Sequence, residues 1–192
     1  MKTDFIKFHI MTKAMLITLL FFFAFISSHA QLLSQEEEQL YAMIMEYRKE
    51  KGLPKIPVSR SLTFVAQTHV KDLAINKPDS GNCNAHSWSS KGKWKACCYT
   101  SDHAQAELMW SKPRELTSYK GNGYEIACGS NSCCSDFVMT AAFALQSWKS
   151  SKGHNMVMIN DGDWGKFSWN AIGLGLYNGF AVVWFGNEMD KE

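Results

Sequence analysis

Apolar residues recur at helical spacing over three stretches of the chain and switch to strict alternation near its end. In SQEEEQLYAMIMEYRKEKG, residues 34–52, the stripe Leu40, Met43, Ile44 and Tyr47 predicts a helix. Ser34 and Glu37 stand at capping-box spacing, Glu36 to Glu38 suit the positive end of the helix dipole, and Lys49 and Lys51 suit the negative end. Gly52 and Pro54 are placed to stop it. A second stripe, Leu62, Val65, Ala66, His69, Val70 and Leu73, predicts a helix over 60–75. A third, Phe137, Ala141, Ala144, Leu145 and Trp148, predicts one over 135–150, with Ser135 as N-cap and Gly153 as C-terminal stop. From Ser168 the period becomes two, and Asn178-Gly179 is a strong two-residue turn signal. These features predict an antiparallel hairpin with strands near 168–177 and 180–186.

Residues 76–134 carry no long periodic stretch. A short helix over 103–110, capped by Asp102 and limited by Pro113, fits HAQAELMW. The stretch NDGD, residues 160–163, reads as a turn, because a calcium loop needs further oxygen ligands and a distal glutamate. Helices and strands do not alternate, which disfavours a doubly wound parallel sheet. The expected class is α+β: an α-β-α sandwich around a central antiparallel sheet, built as one domain over residues 31–192.

The first thirty residues stand outside that domain. Lys2, Lys7 and Lys13 precede the apolar run AMLITLLFFFAFI, residues 14–26, and small residues at Ser28 and Ala30 bracket a cleavage site. This is the layout of a secretory signal peptide, with Met11 as an alternative start. The run is too short for a membrane span, which needs about 20 residues. The chain is therefore expected to be secreted, extracellular or periplasmic, with no stable span after cleavage. Export also changes the charge. The full chain has 20 basic and 18 acidic residues. Loss of three lysines and one aspartate leaves equal numbers of each sign, which argues against nucleic-acid binding.

All six cysteines lie within residues 83–134, and an even count on an exported chain predicts disulfides. Fifteen pairings are open. The neighbours Cys97 and Cys98, and Cys133 and Cys134, are poor partners for each other, so the doublets are expected to split between bridges. The doublets also lack the C-x2-C spacing of zinc clusters. His69, on the apolar face of its helix, reads as a hydrogen-bonded core residue. His103 reads as a surface residue. No G-x-S-x-G elbow is present, and cysteines held in disulfides leave no activated thiol.

Several motifs occur in an order that resembles the CAP superfamily, or SCP domain, of cysteine-rich secretory proteins, antigen-5 allergens and pathogenesis-related proteins. The first helix runs into YRKEKGLPKIPVSRSL, followed by AQTHVKDLA, by AHSW, by GYEIA where the family has Gly-Glu-Asn-Ile, and by WKSSKGH. The strands AIGLGLY and AVVWFG complete the set over about 38–186. The resemblance implies an α-β-α sandwich with a central cleft carrying two histidines and usually two glutamates. By motif, His86, Glu125 and His154 are the cleft residues, and Ser151 stands where W-x-x-E has the second glutamate, as in shorter bacterial-type members.

The resemblance implies that His86 and His154, with Glu125 as ligand or orienting group, could hold zinc or another divalent cation. It also implies either a non-enzymatic binding module or a metal-dependent, protease-like hydrolase using the same three candidates. The partners expected are a small apolar or lipid-like ligand, or an extracellular protein or glycan. All seven tryptophans lie from Trp88 onward. Those in regular elements, Trp148, Trp169 and Trp184, are expected to be core. Any that stand beside the groove would contact carbohydrate or lipid.

Overall fold

A computed structural model describes residues 32–129 and 137–190, all within one unit, Leu32–Glu192. The proposed signal peptide, Ser135, Cys133 and Cys134 lie outside the described residues. Helix α1, Gln35–Glu50, opens on the predicted capping box, with both reciprocal bonds between Ser34 and Glu37 formed. It ends where Gly52 takes a left-handed φ of 71°, which glycine adopts without strain. Glu37 also leaves the helix surface. It is buried and accepts hydrogen bonds from Gln67 Nε2 at 2.9 Å and from the Leu176 backbone at 3.1 Å, so one carboxylate ties three elements together. Helix α2, Arg60–Asn76, is capped by Ser59 and carries the apolar stripe inward.

Two short helices follow, α3 at Ala106–Trp110 and α4 at Lys112–Leu116, and then strand β1, Tyr124–Gly129. After helices α5, Ala141–Ser150, and α6, Lys152–Met158, come β2, Ala171–Tyr177, and β3, Phe180–Gly186. The sheet is antiparallel in the order β1-β3-β2, with Asn178 and Gly179 turning the hairpin. Period-two alternation sends the two faces of the sheet to different cores. Ile126, Ile172, Leu174, Val183 and Phe185 meet α1 and α5 through Leu40, Ile44, Ala144 and Trp148. Ala127, Val182 and Trp184 meet α2 through Leu62, Val65 and Ala66. Gly173 lets α2 settle directly on the sheet, since a β-carbon there would stand 2.0 Å from the Leu62 carbonyl carbon. The molecule is thus an α+β sandwich around a small antiparallel sheet.

Four local expectations need correction. The third helix begins after Thr140, whose hydroxyl accepts from the Phe143 backbone, and residues 137–140 run irregularly beside the hairpin turn. Gly153 does not end it. The helix breaks at Ser151, and Gly153 belongs to α6, which resumes because Val157 and Met158 find core sites. Asp102 caps a turn, not a helix: it accepts from Ala104 and Thr100, and His103 follows in a left-handed conformation at φ 59°. Pro113 sits in the first turn of α4, where its missing N–H costs nothing, so it does not merely limit α3.

The cysteine doublet splits differently from the expectation. Cys98 is bridged to Cys83, but Cys97 is a buried free thiol. Cys97 pairs backbone to backbone with Trp88, which sends its side chain into the core. Cys128 is also a free thiol, raised to about 12 chiefly by burial. Buried polar contacts do much of the ordering in this region. Asp72 on α2 accepts from the backbone and hydroxyl of Ser89 at 2.7 and 2.5 Å, and Lys112 donates to the Lys95 carbonyl at 2.6 Å. Among the described residues no helix is long and apolar enough to cross a membrane.

Candidate functional site

Four elements bring their side chains to one place. Helix α2 contributes His69, the loop fixed by Asp72 contributes His86, strand β1 contributes Glu125, and the first turn of α6 contributes His154. The loop is held from several sides: His86 N bonds Asn84 Oδ1 at 3.0 Å, Asn84 N bonds the Tyr99 carbonyl at 2.9 Å, and Ser89 is clamped by Asp72. Helix α6 is anchored by α1, through Tyr47 Oη to Asn155 at 3.0 Å and the buried Arg48 guanidinium to the Met158 carbonyl.

Glu125 is the hub. Its Oε2 lies 2.5 Å from His69 Nδ1 and its Oε1 lies 2.7 Å from His86 Nδ1. The other nitrogen of His69 lies 2.9 Å from the Ser87 carbonyl, which can only accept, so His69 Nε2 carries a proton. Burial pushes the Glu125 carboxyl up, but the charge of His69 and hydrogen bonds from both histidines outweigh it and hold the group below the ordinary carboxylate range. Glu125 is then a carboxylate and the His69 ring a donor on both sides. The ring also packs on an aromatic face: Trp88 stacks on His69 at 4.2 Å with the planes 5° apart.

His86 is fixed in turn. Its Nδ1 donates to Glu125, which leaves Nε2 as the nitrogen available to the cleft. The His154 ring lies 6.3 Å from the His86 ring, centre to centre. Burial above all, with a like charge whenever His86 is protonated, lowers His154 to about 4, so it is neutral at physiological pH. Around these rings is a cavity of about 340 Å³, which Tyr99, His103, Trp110, Tyr124 and Trp164 also line.

The structure therefore brings His86, Glu125 and His154 together, and adds His69 behind them. Ser151, in the place of the second family glutamate, caps α6 without a side-chain bond to it. The motif GYEIA also differs from Gly-Glu-Asn-Ile in a way that matters. Tyr124 follows the glycine and Glu125 comes one place later, and consecutive strand residues face opposite sides. Glu125 thus points toward α2, while the Tyr124 ring joins Trp164 at 5.2 Å and Trp110 at 5.8 Å. His103, read from sequence as surface, is exposed, yet its Nδ1 lies 2.6 Å from the Tyr99 hydroxyl at the cavity mouth. Nothing in the sequence near His103 signals Tyr99 as its partner.

As a third metal ligand Glu125 does not fit, because each of its oxygens already serves an imidazole. Among the described residues no three histidine, cysteine or carboxylate groups gather closely enough to share an ion. His86 Nε2 and His154 are the two nitrogens that remain.

Comparison with known proteins agrees with this architecture. The chain is similar in fold to an extracellular protein containing an SCP domain from Bacillus anthracis, with a TM-score of 0.54 and 20% identity over 80% of this chain and 40% of that one. It is also similar to an outer surface protein from Borrelia burgdorferi, with a TM-score of 0.53 and 17% identity over 82% of this chain and 95% of that one. At these identities the likeness concerns the fold alone. No curated protein matches the sequence. The model of the CAP, or cysteine-rich secretory protein, family matches residues 41–162, more than half of the chain, and the protein belongs to that family.

Proposed function

We propose that the protein is an exported CAP module that binds a small extracellular ligand in the histidine-lined cavity and performs no chemistry on it. Export is supported by the charged, apolar and small-residue layout of residues 1–30 and by the extracellular and surface placement of the two structural relatives. The observation that carries the non-enzymatic reading is the commitment of both Glu125 oxygens to His69 and His86. Hydrolytic zinc sites use three protein ligands and keep one open position. Here two nitrogens remain, which favours weak cation binding over a hydrolytic centre. Within the cleft, Glu125 orients His86, and His154 supplies a further imidazole, itself neutral.

Calorimetric titration of zinc into chelator-treated protein tests this. The expected result is weak or undetectable uptake. Tight uptake of one equivalent, lost in both His86→Ala and His154→Ala, would overturn the reading in favour of the hydrolase.

A further inference from the structure

The lining of the cavity narrows the ligand. Of the aromatic wall, Trp110 and Trp164 are only partly buried, in contrast to Trp88, Trp148, Trp169 and Trp184, which are 0–4% exposed core residues. Tyr124 stands between the two, edge-to-face with Trp164 and tilted against Trp110. Phe167 packs on Tyr124 at 5.1 Å and on Trp164 at 5.5 Å from behind, so the wall is fixed before any ligand arrives. Asn84, Thr100 and Ser101 line the same cavity, together with the imidazoles already described.

Three ligand classes can be weighed against that lining. Among the described residues no lysine or arginine borders the cavity, which disfavours phosphate, sulfate or carboxylate groups. Among the described residues, the aliphatic side chains are only Met109 and Val157, too few for an acyl chain. Flat aromatic rings together with hydroxyl, amide and imidazole groups suit a molecule that is apolar on its faces and hydroxylated at its rim. A sugar ring has that form. We infer that the cavity takes a neutral saccharide unit, its C–H face on Trp110 and Trp164 and its hydroxyls on the Asn84, Thr100 and His86 side.

This assignment rests on the binding reading above, and one experiment separates the two. The indole N–H resonances of the full chain are followed by NMR while chitobiose, cellotriose, maltotriose, mannobiose or palmitate is added. At least one saccharide is expected to shift the Trp110 and Trp164 signals saturably. Trp164→Ala is expected to weaken that binding roughly tenfold or more, as loss of an aromatic anchor does, while Trp164→Phe retains most of it. Trp110→Ala serves as a second variant if Trp164→Ala does not fold. Palmitate shifting these signals while no saccharide does so would overturn the sugar assignment and leave the cavity as the ligand site. Saccharide binding unaltered by the Trp164 and Trp110 changes would overturn the placement. No response to any probe would overturn the assignment and count against the binding reading itself.

Discussion

Replacing His69 by phenylalanine isolates the buried pair at the centre of the site. The new ring can keep its stack on Trp88, which now lies 4.2 Å away, so little packing is lost. Two polar contacts vanish, to Glu125 at 2.5 Å and to the Ser87 carbonyl at 2.9 Å. Glu125 has a fully buried side chain, and it would keep only His86 as a donor. Removing one partner of a buried ion pair costs about 3–5 kcal/mol, because the remaining charge is left desolvated. For a domain of this size that corresponds to a melting temperature lower by roughly 6–20 °C. Urea unfolding at pH 7, followed by tryptophan fluorescence, measures the loss directly.

Two controls make the result specific. Glu125→Gln keeps the shape and removes the charge. If the two residues act as a pair, the double variant should cost less than the sum of the single costs by about 0.5–3 kcal/mol. The second control is pH. A carboxyl held below its ordinary value of 4.5 contributes stability that is present above that value and lost as the pH falls through the folded one. The gap between the native protein and Glu125→Gln should therefore shrink as the pH falls below about 4. A His69→Phe protein within 1 kcal/mol of the native one, or strict additivity in the double variant, would refute the partnership.

Three further expectations follow from the geometry. Reduction of Cys83–Cys98, whose loop has a sequence separation of 15, should cost about 3 kcal/mol in urea titrations with and without reductant. Gly173→Ala should destabilise by about 3 kcal/mol or prevent folding, since the Leu62 backbone cannot yield, whereas Gly153→Ala, with nothing within 4 Å, should gain up to about 1 kcal/mol. The His154 ring should titrate near 4 by NMR, and a depressed base makes stability fall as the pH drops from 6.5 toward 4; a midpoint above 6 would contradict its burial.

The parts of the fold that local chemistry specifies were legible in the sequence. The capping box of α1, the stop at Gly52 and the Asn178-Gly179 turn each depend on residues a few positions apart, and all three form. Strand β1 was not legible as a strand. YEIACG has no long alternating run, and its pairing partner β3 lies far away along the chain, as with Glu125 opposite Trp184. The start of α5 and the role of Gly153 failed for a related reason. A glycine ends a helix only if the residues after it find no helical packing, and Val157 and Met158 find it. Half of the tryptophan question was answerable from periodicity. Trp148 and Trp184 lie inside regular elements, Trp169 stands just before β2, and all three are core, but which loop aromatics reach the cavity depends on tertiary placement.

His69 shows where such reading stops. A histidine on an apolar helix face looks the same whether it merely fills the core or supports a functional group, and both descriptions hold here. Its Nε2 is satisfied by Ser87, 18 residues on, and its Nδ1 by Glu125, 56 residues on. Only the second contact has consequences at the cleft. Because His69 holds one oxygen of Glu125, the other oxygen is left to His86, and the lone pair of His86 is directed away from the core. A hydrophobic pair at positions 69 and 125 would be no worse for stability, by the general behaviour of buried ion pairs. It would leave His86 free to take either tautomer. The buried pair is thus better explained by the cleft it orients than by the core it interrupts.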